Sequence, residues 1–190
     1  MSTRSTESTR TYRLTVCGLM TALAFVANYI RFPFLGSQIT VSNTLCVLCG
    51  LILGPWAGFV TAGAGNFLYD LIAGYGVEGL ITFVSKGAIA MVAGLICHKA
   101  MKKRTLAPKD RTMLFVGAAA GAVTYVALYM LKTFCFGLWV KGLGMEGTFV
   151  SMGSKLPASL INAIFATIGA PVLMNAVHLP LHRLGIWGKG

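Results

Sequence analysis

Six mostly apolar runs, separated by short breaks of glycine, proline or basic residues, dominate this chain of 190 residues. A helix needs roughly 20 apolar residues to cross the hydrocarbon core of a bilayer, and about six such runs leave room here for only short connections. Hydrophobic residues make up 56% of the sequence and charged residues 11%, whereas soluble domains carry about 25% charged residues. The sequence therefore predicts an all-α integral membrane protein, a single bundle of six transmembrane helices.

The first span is expected over residues 12–30, behind a Ser/Thr/Arg-rich segment over 1–11 that is expected to be disordered. Its basic flank and Ala22-Leu23-Ala24 imitate a secretory signal with its cleavage site, but the apolar run continues through Phe25, Val26 and Ala27, so it reads as a retained span. A short loop with Pro33, Gly36 and Gln38 leads to a second span over 41–53, brief for a full crossing. Gly54-Pro55-Trp56-Ala57-Gly58 is a turn, because proline and glycine break the helix and tryptophan suits the membrane interface. Further spans follow over 57–73, 79–98, 112–138 and 153–177, the last bent at Pro157 and Pro171. One domain over 12–183 and a tail over 184–190 complete the reading.

Net charge is +11, but the basic residues collect between apolar runs and do not line a soluble face, so they act as topology signals and nucleic acid is excluded as a partner. Arg4, Arg10 and Arg13 precede the first span; Lys99, Lys102, Lys103, Arg104, Lys109 and Arg111 follow the fourth; Arg183 and Lys189 follow the sixth. Six spans place all three groups on one side, the cytoplasm, with both termini, while the opposite loops carry Arg31 and Lys141.

The five cysteines, Cys17, Cys46, Cys49, Cys97 and Cys135, lie inside apolar runs and indicate no disulfide framework. Cys46-Val47-Leu48-Cys49 has the spacing of half a zinc site, yet it has no second pair and reads as two small buried hydrophobes. No metal and no cofactor is expected. His98, His178 and His182 sit at cytoplasmic span ends. Small residues recur at four-residue spacing in Gly18 and Ala22, Gly58 and Ala62, and Gly117 and Gly121, which allows close helix packing in lipid.

Polar residues inside spans are costly, on the order of 2.5 to 3.5 kcal/mol for a charge at the bilayer centre, so they mark function first. Asn66 and Asp70 in the third span, Lys86 in the fourth, Tyr125, Tyr129 and Lys132 in the fifth, and Lys155 and Asn162 in the sixth all fall in the outer half. Structural ion pairs such as Asp70 with Lys86, or lysines snorkelling to the interface, would explain individual members. As a set they describe an outward-facing pocket for a small polar molecule, with aromatic faces for stacking a ring. The inner halves are almost wholly apolar, so the pocket is a binding site without a through-path. No phosphate loop or His-Glu-x-x-His cluster is present, and energy for any transport must come from another protein.

Gly18-Leu19-Met20-Thr21-Ala22-Leu23, the run Gly50 to Gly58, Gly74-Tyr75 followed by Ile81-Thr82-Phe83-Val84-Ser85-Lys86-Gly87, and Leu156-Pro157-Ala158-Ser159-Leu160-Ile161-Asn162 occur in this order. Together they resemble the substrate-binding S components of energy-coupling factor (ECF) transporters, in particular the riboflavin-transporter-like group, over most of residues 12–180. The resemblance implies a six-helix subunit of a prokaryotic plasma membrane that takes a vitamin-like ligand from outside and docks on a transmembrane coupling subunit driven by two ATPase subunits. It implies a pocket between the first loop and helices four to six, and a docking role for Gly18 and Ala22, with glycine where alanine is more usual. Riboflavin or another flavin is the expected ligand. Three outer lysines against Asp70 and Glu78 also suit a carboxylate- or phosphate-bearing vitamin, since riboflavin has no anionic group. Two other classes remain: a self-sufficient facilitator, and a membrane enzyme acting on a small polar or lipid substrate, which would need an acidic metal site or an activated nucleophile.

Overall fold

The computed structural model describes residues 3–34, 37–101, 107–140, 142 and 144–183. The tail expected over 184–190 and the basic residues Lys102, Lys103 and Arg104 lie outside the described residues. Six helices follow in order: α1 (Thr3–Ala27), α2 (Ser42–Leu53), α3 (Pro55–Ile72), α4 (Val77–Met101), α5 (Pro108–Cys135) and α6 (Gly144–Arg183). A π-helical segment, Phe136–Val140, continues α5.

Among the described residues, three stretches are long and apolar enough to cross a membrane: Glu78–Cys97, Pro108–Trp139 and Gly144–Pro180. Large apolar side chains such as Leu14, Val60, Val84, Val123 and Ile164 face outward along the helices, which suits hydrocarbon and not water.

Helix α2 lies at the centre. Every residue in it except Leu45 is buried, and it packs against α1, α3, α4 and α6. Its 12 residues rise about 18 Å, well short of a hydrocarbon core about 30 Å thick. Being wrapped in protein on all sides, α2 need not match the bilayer by itself. Its lower end turns directly into α3 at Gly54, whose φ of 83° is a conformation that glycine adopts without penalty, and Pro55 opens α3 where its missing N–H costs nothing. A Cβ on Gly58 would lie 2.8 Å from the Gly50 backbone, and one on Gly50 would run into the Ala90 carbonyl. Glycine at these positions lets α2, α3 and α4 touch backbone to backbone.

Two segments are more regular than the sequence discloses. Helix α1 begins at Thr3, so helix extends into the segment over 1–11; once the apolar part is helical, each added residue costs little, because nucleation is the expensive step. The short loop between the first two spans carries regular structure. It is an antiparallel hairpin of β1 (Arg31–Phe34) and β2 (Ser37–Thr40), pairing Arg31 with Thr40 and Phe34 with Ser37. Pro33 sits in a short strand with a free edge, where its missing donor is tolerated.

Candidate functional site

At one end of the bundle a cavity of about 580 Å³ opens between the hairpin and the ends of α3, α4, α5 and α6. The hairpin contributes Arg31, Pro33, Ser37, Gln38 and Thr40; α3 contributes Tyr69 and Asp70; α4 contributes Glu78, Thr82, Ser85 and Lys86. Tyr125, Tyr129 and Lys132 come from α5 and Lys155 from α6. Six of the eight residues selected from the sequence, Asp70, Lys86, Tyr125, Tyr129, Lys132 and Lys155, therefore meet around one space.

Tyr125 and Tyr129, one turn apart, stack with ring centroids 5.6 Å apart and planes 23° from parallel, forming an aromatic wall. The Lys86 ammonium lies 5.3 Å from the Tyr125 ring centroid and donates a hydrogen bond to Asn43 Oδ1 on α2. The attraction of the ring face for a cation and the amide oxygen hold the charge at close range, and Asp70 acts on it only through space. Asp70 is not its contact ion-pair partner. Asp70 lies near the end of α3, whereas Lys86 is nine residues into α4, which separates them by about 10 Å in depth at 1.5 Å per residue. The ion pair at the mouth is instead Lys132 with Glu78, at 2.9 Å, with the Lys132 ammonium 5.7 Å from the Phe136 ring centroid.

Asn66 and Asn162 are each 1% exposed, and neither lines the cavity. Asn66 Oδ1 accepts from Asn28 Nδ2 at 3.0 Å and from Ser42 Oγ at 2.6 Å, while its Nδ2 donates to the Ala62 carbonyl at 2.8 Å and to Cys46 Sγ at 3.3 Å. This knot joins α2 and α3 to the turn that follows α1, beneath the cavity. Asn162 Oδ1 accepts from the Thr40 amide and its Nδ2 donates to the Gln38 carbonyl, both at 2.8 Å. Residues two apart in a strand present their backbone groups to the same edge, so this one side chain pairs with the free edge of β2 as a further strand would. It ties the hairpin to α6.

Two more contacts fix the hairpin over the opening. Ser37 Oγ and the Tyr129 hydroxyl are 3.0 Å apart. Arg31 places its guanidinium 4.6 Å from the Tyr69 ring centroid and donates to Gln38 Oε1 at 2.9 Å. Asn28, the hairpin side chains, Asn43, Tyr69, Thr82 and Ser85 were not selected from the sequence. Asn43 carried a usable signal, an amide at the head of the apolar run 45–53; the hairpin residues did not, because four-residue strands around a proline read as a loop.

A family model for the S component of ECF-type riboflavin transporters matches residues 8–179. No curated protein sequence matches significantly. A solved structure described as the S component of a bacterial ECF transporter superposes with a TM-score of 0.64 at 17% sequence identity, covering 88% of this chain and 96% of the other. At that identity the likeness establishes a shared fold.

Proposed function

The chain belongs to the S components of ECF-type riboflavin transporters, and from that premise we propose that its cavity captures riboflavin or a closely related flavin with high affinity. S components are membrane-embedded substrate-binding subunits of transporters and not enzymes. The observation that carries the flavin reading is the stacked Tyr125 and Tyr129 wall with Lys86 beside it. A flat ring system stacks on such a wall, and 580 Å³ falls within the roughly 300 to 1,000 Å³ of ligand pockets. A carboxylate- or phosphate-bearing vitamin is the second reading, favoured by Arg31, Lys86, Lys132 and Lys155 around the cavity against Asp70 and Glu78.

All six helices span a prokaryotic plasma membrane with both termini in the cytoplasm, so the cavity opens outward. The basic segments on one side support this orientation. On intact cells a membrane-impermeant thiol reagent is expected to label a cysteine introduced at Gly144 and not one introduced at Lys109; the reverse pattern would place the cavity on the wrong side.

The partners are a transmembrane coupling subunit with two ATPase subunits, and lipid on the remaining apolar flanks. Gly18 and Ala22 are exposed on α1, and a Cβ at Gly18 would meet nothing within 4 Å, whereas Gly58 and Gly117 are filled by neighbouring helices of this chain. Of the three small-residue pairs, the first is thus the one left for a partner. In vesicles containing the coupling subunits, Gly18→Leu with Ala22→Leu is expected to abolish ATP-driven riboflavin uptake while riboflavin binding by the isolated variant changes less than about twofold. Loss of both activities would show that the pair packs the bundle internally.

A further inference from the structure

Polar groups at and just behind the inner end of the cavity have unfilled hydrogen-bonding capacity. Lys86 has three ammonium hydrogens, of which Asn43 Oδ1 takes one. Asn43 is 2% exposed, and its amide nitrogen makes no well-formed hydrogen bond, although the Tyr125 hydroxyl is close. The buried Thr40 hydroxyl oxygen, on a residue that lines the cavity, is likewise without a partner. Unmet polar groups in such a place are costly, and for the ammonium, which can only donate, the cost is removed when a ligand brings acceptors. The two carboxylates of the cavity do not take these hydrogens: Glu78 is engaged by Lys132 at the mouth, and Asp70, nearer the end of its helix, acts on Lys86 through space and makes no hydrogen bond to it.

We propose that Lys86, held in place by Asn43, is the specificity-determining residue of the cavity and recognises a ring edge made of carbonyl acceptors, the dione edge of a flavin. This rests on the flavin reading above. A ring lying along Tyr125 and Tyr129 presents its edge to the ammonium at the end of that wall. Asn43 is a positioning residue: its carbonyl oxygen aims the ammonium, leaving the other two hydrogens for the ligand. Rings whose corresponding edge carries a weaker acceptor are selected against, because they leave a buried ammonium underpaired.

Calorimetric titration of the purified full chain with riboflavin, 2-thioriboflavin and 4-thioriboflavin tests this, since sulfur in place of oxygen weakens one acceptor at a time without changing the ring. At least one thio analogue is expected to bind the unmodified protein roughly 10- to 100-fold more weakly than riboflavin, the worth of a charge-assisted hydrogen bond. In Lys86→Met riboflavin and that analogue are expected to bind alike; Lys86→Gln serves if the methionine variant does not fold, as judged by melting. Asn43→Leu is expected to reduce the discrimination and Asn43→Asp, which keeps an oxygen facing Lys86, to retain it. Equal discrimination with and without Lys86 would overturn the assignment and leave the flavin reading intact. Failure of riboflavin to bind the folded, unmodified protein would overturn the flavin reading, and the assignment with it.

Discussion

Asn66→Leu is expected to lower the stability of the ligand-free protein by about 2 to 4 kcal/mol, the cost of leaving buried polar groups unpaired. Asn66 Oδ1 accepts the Ser42 hydroxyl and one Asn28 amide hydrogen, and Ser42 is fully buried. Leucine removes the acceptor and strands both. The damage is bounded, because Asn28 keeps its bond to the Ala24 carbonyl at 2.8 Å, and because hydrogen bonds within membrane proteins average only about 0.6 kcal/mol in double-mutant cycles. Thermal melting in detergent measures the loss. Adding Ser42→Ala should recover part of it, since the stranded hydroxyl is then gone. Unchanged melting combined with lost riboflavin affinity would instead make Asn66 a ligand contact.

Asn162→Leu is expected to act on binding and to spare the bundle. It removes two hydrogen bonds that tie β2 to α6, each worth about 0.5 to 1.5 kcal/mol net, so riboflavin affinity should fall roughly 10- to 100-fold. The freed groups of Thr40 and Gln38 lie beside the cavity, where water can satisfy them, so melting should shift less than in Asn66→Leu. Most of the affinity loss should appear as faster release, the usual place for such changes. Stopped-flow measurement of riboflavin dissociation resolves this; an unchanged release rate would show that Ser37 with Tyr129 and Arg31 with Tyr69 hold the hairpin unaided.

These two asparagines also mark the limit of what the sequence discloses. Their depth in the spans was legible, and so was the depth of Lys86, Tyr125, Tyr129 and Lys132, because polar groups in apolar runs stand out and helical rise fixes their level. What packs opposite them was not. Asn66 and Asp70, one turn apart, share a face of α3, yet the deeper Asn66 is sealed against α2 and the turn after α1 while Asp70 lines the cavity. A buried amide is satisfied by whatever packs opposite it, and nothing in α3 says that Asn28 and Ser42 will be there.

Lys86 illustrates the same point from the other side. The sequence offers Asp70 as its counter-charge, but the deep position of the lysine puts it level with the first turn of α2, so a neutral amide and an aromatic face take the role. Helix α2 itself reads in the sequence as a brief span. Its brevity follows from the hairpin that occupies the space above it, a pairing between Arg31 and Thr40 too short to leave a periodic signal. The small-residue pairs were equally ambiguous in sequence; only packing separates Gly58 and Gly117, filled from within, from Gly18, which faces outward.

The central claim is that this chain alone is the flavin-capturing subunit. Titrating the isolated, detergent-purified protein with riboflavin and following the quenching of flavin fluorescence tests it most directly. Saturable binding of one riboflavin per chain is expected with no coupling subunit and no ATP present. A folded protein, verified by cooperative melting, that leaves riboflavin fluorescence unchanged would contradict the account.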